Sequence, residues 1–457
     1  MMDIGVVGLG VMGENLILNF SDKDYSVGIF NRTVAKTKVF VESLPAERKI
    51  RGYNSLAELV GELKRPRRIL LMVKAGQAVD DLLHELEGLL SAEDTVIDGG
   101  NSNYRDTLRR CEATEGKFLF LGCGISGGEE GARHGPAIMP GGCQKGWESV
   151  GEILQAVSAK TEKGEPCCQW LGPQGSGHLV KTVHNGIEYA EMQIIADFYQ
   201  IMRRHHNPLE ICHCFQEWKL SGTSGFLLEI TQQILAMQDE QGVVIDRIWD
   251  TAEQKGTGVW TVQEALSSGS PTPIIGAAVT ARVISSQKAL RMKLAEVLPG
   301  GGDVTTKPCI SNEEMRKAFL LCRALSYIQG FNLITSIAKT QNWPISLGML
   351  CQIWSNGCII RSEFLSTLAE MAKFEVLEES PVFIKIASEG IQALRRLVSF
   401  CAMQGVSVPC ISESLQYYDS LRTAKSSGNL IQAMRDLFGA HTLQLDGNPE
   451  HVHLSWQ

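Results

Sequence analysis

Short apolar runs alternate with amphipathic stretches over the first third of the chain. The apolar runs that predict strands are Ile4–Val7, Val27–Phe30, Arg68–Val73, Thr95–Ile97 and Phe118–Leu121. Because strands that alternate with helix-length amphipathic segments are typical of βαβ units, we predict a mostly parallel sheet here. A Gly/Pro cluster at Gly172–Gly177 interrupts this pattern, as expected at a domain boundary.

Beyond this cluster the pattern changes to long helical periodicities with few strand signals, as in Leu179–Met202, Ser224–Met237 and Glu313–Lys339. We therefore predict an α/β domain over residues 1–175 and a large all-α domain over residues 176–433. The remaining tail, residues 434–457, is rich in Gly, Pro and His and is too short to form its own core. We expect this tail to pack against a partner subunit.

Composition and charge limit the classes of function. A chain of 457 residues exceeds what one hydrophobic core usually supports, and 44% hydrophobic with 21% charged residues is ordinary for a soluble globular protein. The formal net charge of -8 argues against a large nucleic-acid surface. No apolar run reaches the roughly 18 residues of a membrane span. We expect a soluble protein without nucleic-acid or membrane partners.

The cysteines predict neither disulfides nor a metal site. Their number, 13, is odd, they are scattered, and the N-terminus lacks the features of a secretory signal. The clusters Cys167–Cys168 and Cys212–Cys214 lack the ligand spacing of structural zinc. We therefore expect reduced thiols, a cytoplasmic location and no bound metal.

A G-x-G-x-x-G motif follows the first predicted strand and opens a predicted helix. Its glycines permit a tight turn and close approach of a pyrophosphate to the helix N-terminus, where unpaired N–H groups favour negative charge. A coincidental Gly-rich turn is the alternative, but the strand–turn–helix context favours a Rossmann-like dinucleotide site. The predicted contacts are Gly8, Leu9, Gly10, Val11, Met12 and Gly13.

The end of the second predicted strand indicates which dinucleotide is bound. NAD sites place an Asp or Glu there to hold the ribose 2′-hydroxyl, whereas this chain has Asn31, Arg32 and Thr33. A carboxylate would repel a 2′-phosphate, but Arg32 can bind one bidentately and its two neighbours can donate hydrogen bonds. We predict NADP rather than NAD.

Three further segments follow predicted strands, where open α/β sheets bind ligands. We assign Val73, Lys74 and Ala75 to the cofactor, and Asn101 to both cofactor and substrate. Ordinary turns are the alternative, since Asp, Gly, Asn and Ser all favour turns. The Gly-rich stretch that follows offers closely spaced N–H groups suited to a carboxylate or phosphate. Its substrate-binding candidates are Ser126, Gly127 and Gly128.

A stripe of polar residues opens the first long helix after the boundary. One face of a helix with 3.6 residues per turn would carry Lys181, His184, Asn185, Glu188 and Tyr189. A solvated face is the alternative, but apolar flanks and the position at a domain junction favour a cleft. Burial or a neighbouring cation would lower the pKa of Lys181 towards neutrality, and we expect His184 and the apolar flanks to provide both. Lys181 and Glu188 are the predicted catalytic pair.

Together these segments resemble the 6-phosphogluconate dehydrogenases over nearly the whole chain. The resemblance implies NADP-dependent oxidative decarboxylation of 6-phosphogluconate to ribulose 5-phosphate in the pentose phosphate pathway. The matching segments are Gly8–Gly13, Asn31–Thr33, Val73–Asp81, Asp98–Ser102, Ser126–Arg133, Lys181–Tyr189, Gln254–Gly258 and Arg435–His441.

The resemblance also implies a role for individual residues. Lys181 would take the 3-hydroxyl proton and Glu188 would protonate C1, with no metal required. Arg435 and His441 would come from the other subunit of a homodimer, so the all-α domain would also carry dimerisation. The implied substrate contacts are Asn101, Ser126, Gly127, Gly128, His184, Asn185, Tyr189, Lys255, Arg282, Arg435 and His441. The alternatives are another β-hydroxyacid dehydrogenase and a non-catalytic NADP-binding scaffold.

Overall fold

The computed structural model describes residues 1–301 and 310–456. Its first region is built on a seven-stranded sheet of order β3-β2-β1-β4-β5-β6-β7. All neighbouring strands are parallel except β6 and β7, which are antiparallel. The strands are β1 (Ile4–Val7), β2 (Val27–Phe30), β3 (Ile50–Gly52), β4 (Arg68–Leu71), β5 (Thr95–Asp98), β6 (Leu119–Ser126) and β7 (Ala137–Gly142).

Helices cover both faces of this sheet, which is why its central strands β1, β4 and β5 are buried at nearly every position. Ile4 and Val6 of β1 belong to one hydrophobic cluster, and Val7 belongs to the cluster on the opposite face. The helices of this region are α1 (Val11–Asp22), α2 (Val34–Glu42), α3 (Leu56–Gly61), α4 (Gln77–Glu87), α5 (Tyr104–Thr114), α6 (Gly128–His134) and α7 (Gln144–Val157).

The second region is helical and is organised around two long buried helices, α8 and α14. A capping box, in which Ser311 and Glu314 bond each other's backbone N–H, begins α14. The helices are α8 (Ser176–Met202), α9 (Pro208–Leu220), α10 (Phe226–Ala236), α11 (Thr257–Ser268), α12 (Pro273–Ser286), α13 (Lys288–Val297), α14 (Asn312–Gln341), α15 (Leu347–Trp354), α16 (Phe364–Met371), α17 (Pro381–Gln404), α18 (Pro409–Leu421) and α19 (Gly428–Gly439). Two short antiparallel pairs join β8 (Gln238–Asp239) to β9 (Gly242–Val243) and β10 (Leu443–Gln444) to β11 (His451–Val452).

Helix α8 packs directly on β6 and β7, so the two regions share one core. A Cβ atom on Gly124 would overlap the Cβ of Lys181, and one on Gly141 would overlap the backbone of Gly177. Met139 of β7 belongs to the hydrophobic cluster of the helical region. The glycines of β6 and β7 therefore let the helix that carries the polar stripe lie against the sheet.

The predicted strands agree with the sheet except at its edges. The outer strands β3 and β7 were not predicted. Strand β6 also extends past its predicted end at Leu121 to Ser126, and the turn begins at Gly127. The predicted end was wrong because the glycines in β6 serve the close packing of α8 rather than a turn.

The tail contains more regular structure than expected. Helix α19 runs through the predicted boundary after Ala433, and β10 and β11 follow it. The large apolar side chains of α19 are exposed, and Phe438 keeps 74% of its surface accessible. Within the described part of the chain, no helix has both the length and the apolar character needed to cross a bilayer.

Candidate active site

A cavity of about 610 Å³ lies between the carboxyl ends of the strands and α8. We call its two sides the sheet wall, formed by the end of β6 and by residues that follow β1, β4, β5 and β6, and the helix wall, formed by α8. The sheet wall comprises Gly10, Val11, Met12, Gly13, Met72, Val73, Gly99, Gly100, Asn101, Ile125, Ser126, Gly127 and Gly128. The helix wall comprises Lys181, Asn185, Glu188 and Tyr189. Glu253, Gln254, Lys255, Thr257, Arg282 and Ile359 complete the lining.

The turn after β1 has the shape that a dinucleotide pyrophosphate requires. Gly8 has a φ of 106°, and a Cβ atom there would lie 2.5 Å from the carbonyl oxygen of Met72. A Cβ on Gly10 would meet nothing within 4 Å, so this position faces open space. No side chain caps the N-terminus of α1, which leaves its first N–H groups free for an anion. Leu9 is buried behind the turn.

The residues after β2 are the predicted contacts for the 2′-phosphate of NADP. The side chain of Asn31 accepts a hydrogen bond from the Leu9 N–H (3.2 Å) and donates one to the carbonyl of Thr33 (3.2 Å). Its oxygen and one of its two N–H donors therefore join two loops, and the second N–H keeps Asn31 a candidate contact for a phosphate. Arg32 and Thr33 are exposed, and Arg32 forms no ion pair among the residues that the structure describes. These two side chains remain available for a 2′-phosphate.

The loops after β4 and β5 approach each other at the sheet wall. Val73 and Asn101 line the cavity, whereas Lys74 and Ala75 lie outside its lining. A Cβ on Gly100 would lie 3.1 Å from the carbonyl oxygen of Val73, so the two loops are in close contact. The exposed side chain of Asn101 is therefore presented between the loops and α8.

The polar stripe of α8 is buried, which excludes the solvated-face alternative. Lys181, His184, Asn185 and Tyr189 each keep 6% or less of their surface accessible. The Nδ1 atom of His184 lies 3.4 Å from Lys181 Nζ and 3.7 Å from a carboxylate oxygen of Glu188. Its Nε2 atom lies 3.3 Å from the hydroxyl of Ser126, so His184 connects the stripe to the sheet wall.

Burial brings the proton affinities of the catalytic candidates closer together. It lowers the pKa of Lys181 and raises the pKa of Glu188, because both charged forms lose hydration in the cavity. Burial, followed by the charge of Lys181, also holds the pKa of His184 well below its usual range. His184 is therefore neutral. Our expectation that it acts as a cation on Lys181 was wrong, and burial alone provides the shift.

The far end of the cavity carries two cations. The guanidinium of Arg282 stacks 3.5 Å from the ring centroid of Tyr189, while Lys255 is exposed in the loop before α11. A phosphate dianion is attracted by such a pair. Arg435 and His441 do not line this cavity and are exposed on and beyond α19. The chain therefore does not bring all of its predicted phosphate ligands together within one subunit.

Several lining residues were missed by the sequence reading. Five of them belong to or adjoin segments already singled out in the sequence, and this proximity could have predicted that they line the site. They are Met72, Gly99, Gly100, Gln254 and Thr257. Glu253 adjoins the same loop. Ile359 had no local signal because it comes from the loop after α15. A Cβ on Gly127 would lie 2.5 Å from the carbonyl oxygen of Gly357, which shows how closely this loop packs on the sheet wall.

Twelve cysteines of the described residues are free thiols. Among residues 1–301 and 310–456, no group of three or more His, Cys, Asp or Glu side chains is positioned to hold a metal ion.

The fold and cavity define a dehydrogenase with a Rossmann-like dinucleotide-binding domain and a helical domain that places Lys181 and Glu188 in the cavity. Comparison with known proteins identifies the family. The model of the NAD binding domain of 6-phosphogluconate dehydrogenase matches residues 3–172, and the model of its C-terminal domain matches residues 177–456. The chain belongs to the 6-phosphogluconate dehydrogenase family.

Individual relatives agree with this assignment over their full length. The chain is 43% identical to the decarboxylating 6-phosphogluconate dehydrogenase of Drosophila melanogaster, covering 99% of this chain and 95% of that one. It is 43% identical to the Homo sapiens enzyme, covering 99% and 96%. A solved structure of Plasmodium falciparum 6-phosphogluconate dehydrogenase superposes with a TM-score of 0.95 at 35% identity, covering 99% of this chain and 100% of that one. That protein has been solved with its cofactor NADP+ and with its substrate 6-phosphogluconate.

Proposed function

We propose that this protein catalyses the NADP-dependent oxidative decarboxylation of 6-phospho-D-gluconate to D-ribulose 5-phosphate and carbon dioxide. The observation that carries the proposal is one cavity in which a buried Lys181, with a lowered pKa, and Glu188 face a dinucleotide-binding turn. The relatives described above support the choice of substrate.

The residues of this cavity fit NADP along its length. Arg32 and Thr33 would hold the 2′-phosphate, and the free N–H groups at the start of α1 would hold the pyrophosphate. Val73 and Asn101 would contact the end that reacts, because they line the same cavity as Lys181. When bound, NADP supplies the acceptor for the hydride that leaves C3 of the substrate.

Lys181 begins the reaction as a general base. In its neutral form it takes the proton of the 3-hydroxyl while the hydride leaves C3, which yields a 3-keto acid. The protonated Lys181 then donates a hydrogen bond to the keto oxygen, which accepts electron density as the C1 carboxylate leaves as carbon dioxide. This polarisation is strong because the amine is buried and little water competes with it.

Glu188 completes the reaction as a general acid. Seven residues along α8 separate it from Lys181, which is about 10 Å of helix axis and allows the two groups to act on different carbons. A carboxyl whose pKa is raised by burial holds a proton more readily, and Glu188 donates it to C1 of the enediol. This C1 was C2 of the substrate before carbon dioxide left, and the neighbouring hydroxyl returns its proton to Lys181 as the ketone of ribulose 5-phosphate forms. Neutral His184 lies between both groups.

The remaining predicted contacts divide between the acid and phosphate ends of the substrate. Asn101, Ser126 and the backbone of Gly127 and Gly128 belong to the sheet wall, whereas Arg282 lies at the far end. The full set that we propose for substrate binding is Asn101, Ser126, Gly127, Gly128, His184, Asn185, Tyr189, Lys255, Arg282, Arg435 and His441.

We further propose that the protein acts as a homodimer in which Arg435 and His441 complete the phosphate site of the partner subunit. Two observations support this: both residues lie outside their own cavity, and the helix that carries Arg435 exposes Leu437 and Phe438. Large exposed apolar side chains are typical of a surface that another chain covers. We also propose a cytoplasmic location in the pentose phosphate pathway, which is consistent with the free thiols of the described cysteines.

The reaction is tested by incubating the purified protein with NADP and 6-phosphogluconate while following NADPH absorbance and released carbon dioxide. Equal amounts of both products are expected. NADPH without carbon dioxide would identify a simple β-hydroxyacid dehydrogenase instead. Formation of neither product would favour a non-catalytic NADP-binding protein and contradict the proposal.

Subunit complementation tests the shared site. Lys181→Met and Arg435→Ala homodimers are each expected to have low activity at limiting substrate. Mixed dimers contain one site with both substitutions and one site with neither, so co-refolding is expected to restore about one quarter of the parent activity. Absence of any recovery, with mixed dimers verified by tagged subunits, would refute the exchange of Arg435.

A further inference from the structure

Arg110 is a charged side chain buried beneath the sheet wall that none of the proposed catalytic or binding roles uses. It lies on α5, and only 1% of its side chain is accessible. Its guanidinium contacts two loops at once. Burying a guanidinium costs free energy of hydration unless hydrogen bonds and ion pairs replace the lost water. The contacts that Arg110 makes with the two loops offset this cost.

The first loop that Arg110 binds is the one between β4 and α4. Its Nη2 atom donates to the carbonyl oxygen of Gly76 (3.0 Å) and to the carboxylate of Asp80 (3.2 Å), which Nε also contacts at 2.8 Å. Gly76 follows Val73, Lys74 and Ala75, the segment assigned to the cofactor. Arg110 therefore fixes the far end of this loop.

The second loop is the one between β5 and α5, which contains Asn101. The Nη1 atom of Arg110 donates to the carboxylate of Asp98 (3.3 Å) and to the hydroxyl of Ser102 (3.4 Å). The same carboxylate accepts hydrogen bonds from the Ser102 hydroxyl (2.6 Å) and the Gly100 N–H (3.0 Å). Asn101 is thereby held between two anchored neighbours.

We propose that Arg110 is a positioning residue that fastens these two loops in the arrangement that receives the reacting end of the dinucleotide. Its contacts set the positions of Val73 and Asn101, which line the cavity beside Lys181. Arg32 and the turn at Gly8–Gly13 have no contact with Arg110, so binding of the adenosine end is independent of it. The proposal rests on the proposed function only in taking NADP as the dinucleotide that binds here.

The chain offers a matched control one residue earlier on α5. Arg109 also pairs with Asp80, at 2.9 and 3.1 Å, but its side chain is 55% accessible and it reaches neither Gly76 nor Asp98. Comparing Arg109 with Arg110 separates the loss of an ion pair to Asp80 from the loss of the connection between the loops.

Calorimetric titration without substrate tests the proposal. Arg110→Lys keeps the charge but cannot make the divergent contacts of a guanidinium, and we expect NADP to bind about ten-fold more weakly. Binding of adenosine 2′,5′-bisphosphate, which lacks the nicotinamide end, is expected to stay within about two-fold of the parent. Arg109→Lys is expected to leave both affinities within the same limit.

Three results would overturn the proposal. They are an unchanged NADP affinity in Arg110→Lys, an equal loss of affinity for NADP and the fragment, which indicates general damage, and an equal effect in Arg109→Lys. If Arg110→Lys does not fold, Ser102→Ala decides the question, with an expected NADP-specific loss of about three-fold and no loss counting against the proposal. Because these titrations use no substrate, they remain decisive even if 6-phosphogluconate is not turned over.

Discussion

The sheet wall of the cavity contributes glycines, loop backbone and exposed side chains, whereas the helix wall contributes titratable side chains that water barely reaches. Gly10 faces open space, and Arg32 is exposed beyond it. Lys181 and His184 are buried, and burial shifts the pKa of each. A large anionic ligand binds best to accessible backbone N–H groups and exposed cationic side chains. Proton transfer near neutral pH requires side chains whose pKa is shifted from its ordinary value.

The contrast between the two walls predicts whether a substitution changes turnover or dinucleotide binding. Changes on the helix wall should reduce turnover and leave dinucleotide binding intact, because the altered atoms act in proton transfer. Changes on the sheet wall should weaken dinucleotide binding. The following experiments test this contrast, and each has an outcome that would contradict it.

Lys181→Met should have the largest effect. Loss of the base is expected to lower kcat by about 1,000-fold, while the Kd for NADP stays within about two-fold. Stopped assays of NADPH formation and calorimetry measure the two quantities. Lys181→Arg serves as control because an arginine keeps the positive charge but does not deprotonate. Substantial activity in Lys181→Arg would mean that charge, not proton abstraction, is what this position supplies.

Glu188→Gln should lower kcat by about 100-fold, because the amide keeps the shape but cannot donate the proton to C1. The pH profile gives a second readout. Neutral Lys181 is needed, so activity falls as pH drops below its pKa; protonated Glu188 is needed, so activity falls as pH rises above its pKa. The parent should show a bell-shaped profile, and Glu188→Gln should lose the alkaline limb. A variant that keeps both limbs would exclude Glu188 as the acid.

Arg32→Ala should raise the Kd for NADP by about 30-fold and change the Kd for NAD by less than about two-fold, since only NADP carries the 2′-phosphate. Fluorescence titration with each dinucleotide measures both. Lys38, which is also exposed on α2, provides the control, and Lys38→Ala is expected to leave both affinities unchanged. Equal losses for NAD and NADP in Arg32→Ala would contradict the assignment of Arg32 to the 2′-phosphate.

Two glycines should give the smallest effects and the clearest contrast in stability. A Cβ on Gly124 would overlap Lys181, so Gly124→Ala should lower the free energy of unfolding by about 1–3 kcal/mol. A Cβ on Gly10 meets nothing within 4 Å, so Gly10→Ala should change stability by less than about 0.5 kcal/mol and weaken NADP binding instead. Urea unfolding and NADP titration measure the two properties. Equal destabilisation by both substitutions would remove the distinction between a glycine that packs α8 against the sheet and a glycine that faces the ligand site.

Much of the fold could be predicted from local pattern. The central strands and the three long helices followed from hydrophobic periodicity, because a buried strand or helix must repeat its apolar positions with the period of its backbone. The turn at Gly8–Gly13 and the polar stripe from Lys181 to Tyr189 could also be predicted from short segments. The spacing of residues along one helix determines which side chains share a face. Edge strand β3 was missed because it has only three residues, one of them charged. Edge strand β7 was missed because its second half, Pro140–Gly142, has the composition of a turn.

What the sequence by itself determined is therefore which side chains stand together on one element: the dinucleotide turn, the exposed Arg32 after β2, and the polar stripe of α8. Tertiary structure decided the rest. Only the packing of α8 against the sheet buries Lys181 and His184, lowers their pKa and makes the polar stripe one wall of a cavity. Only packing brings Ile359 to the cavity and Arg110 beneath two distant loops. Burial and contacts between remote segments depend on the whole chain, and no local spacing encodes them.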